Sequence, residues 1–90
     1  MKKYMIERDI PGVGALNAEQ LKGAAQTSNA ALSKLAPRVQ WQQSFEAGDK
    51  TFCVYLAEDV GVIREHAKLS GFPASKITEI GGVIDPTTAL

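Results

Sequence analysis

The stretch Lys50–Ala57, KTFCVYLA, constrains this chain more than any other. β-Branched, aromatic and aliphatic side chains dominate it and neither Gly nor Pro interrupts it, so it reads as a strand. Alternation sends Phe52, Val54 and Leu56 to one face and Cys53, Tyr55 and Ala57 to the other. Neither set is polar. A strand that is apolar on both sides needs cover on both sides. This predicts a central strand with helices over one face and a second body, such as another copy of the chain, over the other.

Ninety residues suit one small domain with one modest core. Ten Lys and Arg balance ten Asp and Glu, so the net charge is zero. Without a basic cluster, electrostatic binding to nucleic acid or to an anionic membrane is disfavoured. A single cysteine excludes an internal disulfide framework and fits a reducing compartment. No apolar run is long enough to span a bilayer, and acidic residues follow the first lysines before a signal-peptide core can develop. The expectation is a cytoplasmic, soluble protein.

Taken in order, residues 3–8 predict a first strand, with Tyr4 and Ile6 on one face and Met5 and Glu7 on the other. Pro11 and Gly12 break it. Asn17 followed by Gln20 has the form of a capping box for a helix over Ala18–Leu35, and Pro37 ends it. Small residues (Ala24, Ala25, Ala30, Ala31) allow that helix to lie close to a sheet. Residues 39–46 alternate, with Val39, Trp41, Gln43 and Phe45 in one phase and Gln40, Gln42 and Ser44 in the other. One wet face predicts a strand near an edge. A short hairpin connection leads into the central strand. Asp59 then caps a helix over Val60–Ser70, which Gly71 closes, and a strand follows over Lys76–Ile80. Val83 and Ile84 offer a short optional fifth strand before Pro86.

The order βαββαβ folds most simply as a ferredoxin-like α+β sandwich, an antiparallel sheet with both helices on one face. Met5, Cys53, Tyr55 and Ile77 are expected on the bare face. That is too much apolar surface for a monomer, and it predicts a homodimer in which two sheets form an α+β barrel.

Four segments carry a family likeness: ERDIPG at residues 7–12, TFCVYLAED at 51–59, IREHAKLSGFPASKITEI at 63–80 and VIDPTTA at 83–89. Together they resemble the DUF4242 family of small bacterial proteins. The resemblance implies the ferredoxin-like fold, and because the family includes a nickel-binding member it brings in nickel as a possible ligand. It supplies no ligand set.

Among individual residues, His66 is the lone histidine, near the C-terminal end of its helix, where the dipole would favour the protonated ring. Imidazole suits nickel, so His66 is a candidate metal ligand, with Glu7 and Glu79 as carboxylates that alternation could place on the same sheet face. The plainer reading has His66 packing by its ring and both carboxylates solvated at strand ends. Trp41 and Tyr55 are candidates for contacting a small molecule, in a pocket between sheet and helices that Glu7 and His66 would also line. Cys53, mid-strand among apolar neighbours, is expected to be buried and unreactive. No CxxC pair is present. An RNA-recognition domain would need basic residues beside its exposed aromatics, and that reading is set aside. Three functions follow: a divalent-ion binder with nickel as the ion, a dimeric barrel that binds or transforms a small organic molecule, or a structural dimer without ligand. No catalytic constellation is recognised.

Overall fold

A computed structural model describes all of residues 1–90. Its elements are β1 (Lys2–Asp9), α1 (Ala18–Leu35), β2 (Val39–Ala47), β3 (Lys50–Ala57), α2 (Val60–Ser70) and β4 (Lys76–Ile80). Short 3-10 turns occupy Val13–Ala15 and Pro86–Ala89. The strands form one antiparallel sheet in the order β2-β3-β1-β4, with both helices against one face: the ferredoxin-like α+β arrangement.

Local chemistry sets the helix ends. Gln20 N–H donates to Asn17 Oδ1 at 2.9 Å while Asn17 N–H donates to Gln20 Oε1 at 3.0 Å, so two orphan amides of α1 are satisfied reciprocally. Val62 N–H donates to Asp59 Oδ1 at 2.9 Å at the start of α2. Gly71 ends α2 with φ of 79°, a left-handed conformation that a Cβ disfavours.

Register decides which side chains make the core. Tyr4 stands opposite Tyr55 and Ile6 opposite Cys53, and directly opposed residues share a face. Tyr4, Ile6, Cys53, Tyr55 and Ala57 therefore pack under the helices with Leu35, Val39, Val62 and Ile63. Ile77, opposite Ile6, joins them. This corrects the expected bare face. Cys53, Tyr55 and Ile77 are core, and the open face instead carries Met5 with Phe52, Val54 and Leu56. Both faces of β3 are apolar, but their roles are exchanged.

β2 holds a second correction. A bulge between Trp41 and Gln43 inserts one residue, so the phase flips. Val39 and Trp41 point towards the helices, whereas Phe45, opposite Phe52, lies on the open face and is 52 % exposed. Unbroken alternation had grouped it with Trp41. The optional fifth strand is also absent. Val83 and Ile84 are exposed, and no strand follows Ile80.

Candidate ligand-binding site

The two halves of α1 meet the sheet differently. Ala31, Leu32 and Leu35 pack into the core. In the N-terminal half, Leu21, Ala24, Ala25 and Ser28 recur at i, i+3, i+4 and i+7 and face the sheet across a cavity of about 400 Å³. The small side chains at 24 and 25 are too short to fill the gap. Trp41 forms one wall, its indole N–H donating to Ser44 Oγ at 2.8 Å. Phe72, just after α2, forms another. The segment 10–16 closes an end and is held by the β2–β3 hairpin: Ile10 N–H donates to Asp49 O, Gly12 N–H to Asp49 Oδ1 and Gly14 N–H to Gly48 O, each at 2.8 Å. Ser44 and Glu46 lie at the exposed rim.

The floor is polar and buried. Arg8 follows Tyr4 and Ile6 in strand phase, so its guanidinium points into the helix-covered side and is 2 % exposed. Nη1 donates to the carbonyls of Phe72 and Pro73 at 3.3 and 3.0 Å. Nη2 has no partner. Arg8 Cζ stands 5.8 Å from the centre of the Tyr55 ring, within cation–π reach. Burial pushes the Tyr55 phenol up, opposed by the Ser28 hydroxyl and the Arg8 charge. Behind Tyr55, His66 is fully buried, with ring centres 5.4 Å apart.

His66 Nε2 lies 3.2 Å from Ser28 Oγ, while Nδ1 is buried without a partner. An orphaned N–H costs more than an orphaned lone pair, so the proton belongs on Nε2, donating to Ser28. Desolvation is the main cause that lowers the His66 pKa, the Arg8 charge lowers it further, and an interaction with the backbone of Ser28 opposes them. The ring is therefore neutral at pH 7. This corrects the expectation of a helix dipole favouring the charged form: a partial charge in a last helical turn is weaker than full burial beside a guanidinium.

The residues singled out in the sequence lie in different places. Trp41 and Tyr55 line the cavity. His66 touches it only through Ser28 and Tyr55. Glu7, opposite Phe52, faces the open side of the sheet, where Lys50 and Lys76 approach its carboxylate at 3.8 and 3.9 Å. Glu79, opposite Tyr4, is exposed on the helix-bearing side and meets Lys2 at 3.5 Å. The structure does not bring Glu7, Glu79 and His66 together. Arg8 and Ser28 were missed. The available signal was phase, since Arg8 alternates with Tyr4 and Ile6 and Ser28 continues the inward stripe of α1.

Residues 4–80 match the family described as "Nickel responsive protein SCO4226-like". The chain belongs to this family. The crystal structure of SCO4226 from Streptomyces coelicolor A3(2) is similar, with a TM-score of 0.74 and 19 % identity over 91 % of this chain and 99 % of that one. At that identity the likeness bears on the fold. No curated protein sequence matches the chain.

For a member of the SCO4226-like family, a nickel centre is the first site to test against the donors present. The one unprotonated imidazole nitrogen, His66 Nδ1, is sealed in the core with no carboxylate or thiolate beside it. Nowhere in the chain do three or more His, Cys, Asp or Glu side chains converge. The residues of a single chain do not fit a nickel centre. No helix of this family member is long and apolar enough to cross a membrane.

Proposed function

We propose that this chain is a small binding protein of the nickel-responsive family and that its ligand is an organic molecule held between α1 and the sheet. The observation that carries this reading is the cavity itself, with apolar walls and a buried polar floor drawn from β1, β3 and α1. Such a combination is the usual form of a small-molecule site, in which the walls provide affinity and a few polar groups fix orientation. The test is fragment binding followed by amide chemical-shift changes. Shifts should cluster on residues 10–16, Ala24, Ala25 and Trp41, and Ala24→Leu, which fills the cavity, should abolish them. Shifts confined to the open sheet face would overturn the reading.

A second reading keeps nickel or another divalent ion as the ligand, supported by family membership. Since the donors of one chain do not converge, the ion would be shared between copies of a homodimer. Glu7, half-buried on the open face, is the carboxylate best placed for that. Nickel calorimetry tests it: binding that survives His66→Ala but is lost in Glu7→Gln supports a shared site. Binding lost in His66→Ala would restore imidazole ligation.

A further inference from the structure

The guanidinium of Arg8 is buried, yet no carboxylate lies within salt-bridge distance of it. Arg stays charged in proteins, and a buried charge without a counter-ion is costly. Two carbonyls satisfy Nη1, Nη2 is buried without a partner, and the Arg8 side chain lines the floor of the cavity. Two hydroxyls, those of Tyr55 and Ser28, lie on the same floor. With the proton of His66 Nε2 donated to Ser28 Oγ and the Ser28 O–H directed to the Tyr55 oxygen, the phenol keeps its own proton to donate. Arg8 and Tyr55 therefore both offer hydrogen atoms, and the imidazole behind them brings no negative charge.

We propose that this cavity binds an organic monoacid, its carboxylate paired with the Arg8 guanidinium on the floor, where the side chain turns its unpartnered Nη2 to the acid, and its apolar body lying between α1 and Trp41. The proposal rests on the cavity reading above and gives that ligand its chemistry. Arg8 is the single basic residue among fifteen lining residues, ten of them hydrophobic. One cation suits one carboxylate. Phosphates and polycarboxylates would need further Lys or Arg, and hydrophobic walls would leave their remaining charges unsolvated. Glu46, the one carboxylate of the lining, is at the exposed rim and repels an acid entering charged end last. A volume of about 400 Å³ suits an aryl acid or a medium-chain fatty acid.

Calorimetry of the full chain with octanoate, octanamide and citrate at neutral pH tests the assignment. Octanoate should bind at least about tenfold more tightly than octanamide, the worth of a hydrogen bond to a charged group, and citrate should not compete. Arg8→Met, which keeps an apolar body of similar length, should bring octanoate down to the affinity of octanamide and leave octanamide unchanged. Equal affinity of the parent protein for octanoate and octanamide overturns the carboxylate assignment while the cavity reading stands, and it does so whether or not Arg8→Met folds. If neither compound binds and fragments also fail to shift the cavity residues, the cavity reading itself is wrong.

Discussion

At Arg8 and His66 the chain buries two groups that water would otherwise solvate, and the second makes stability depend on pH. The folded-state pKa of His66 is depressed below its ordinary value of about 6.5, so below that pH the unfolded chain takes up a proton that the folded chain refuses. Stability contributed by the neutral ring is complete above pH 6.5 or so and declines as pH falls towards the lower folded value. Urea unfolding of the parent should thus show a falling midpoint between neutral and mildly acidic pH. His66→Gln, with no titrating ring, should lose that component of the slope even if it starts less stable. An unchanged slope would mean that other groups cause it. The sequence identified His66 as singular but gave its ionisation the wrong sign, because burial depends on how α2 rotates against the sheet. Arg8 was legible in principle. Its alternation with Tyr4 and Ile6 marked it as inward-facing, but only once the core face was known, and that is settled by the register of β1 against β3.

Elements were legible where capping and turn chemistry are local. The Asn17–Gln20 box, the Asp59 cap, Gly71 and the two-residue turn between β2 and β3 all lie where residue types place them. The bulge in β2 was not, since one inserted residue in VQWQQSFEA leaves no compositional mark, yet it turns Ser44 inward to accept the Trp41 N–H. The wall of the cavity formed by residues 10–16 depends on a close approach that sequence also conceals. A Cβ on Gly14 would lie 2.9 Å from the backbone N and O of Gly48, neither of which can swing aside. Gly14→Ala should therefore destabilise the fold by about 1–3 kcal/mol and loosen that wall. Gly23 gives the opposite sign: a Cβ there meets nothing within 4 Å, and it sits inside α1. Gly23→Ala should stabilise by about 1 kcal/mol from helix propensity alone. Denaturant midpoints of the two variants check both. Equal shifts in the same direction would count against the close approach.

For the whole molecule, the exchange of faces leaves the argument for a dimer in place and changes the residues that make it. Met5, Phe52, Val54 and Leu56 are half-buried on the open face, and exposed Phe45 extends the patch along β2. The same face carries Glu7 between Lys50 and Lys76, so two copies related by a two-fold axis need not press like charges together. A four-stranded sheet with strands of about eight residues spans roughly 19 by 26 Å, about 500 Å² in projection, and side-chain relief brings its accessible area towards the roughly 800 Å² per partner of a standard interface. We expect sedimentation to give a dimer at micromolar concentration. Val54→Glu, which puts a charge at the centre of β3 on that face, should give a folded monomer. The cavity lies on the opposite side of the sheet, beneath α1, so the monomeric variant should bind octanoate as the parent does. Loss of octanoate binding in a well-folded Val54→Glu monomer would mean that the second copy shapes the cavity through the sheet. A parent protein that sediments as a monomer would instead leave the open face as ordinary exposed surface.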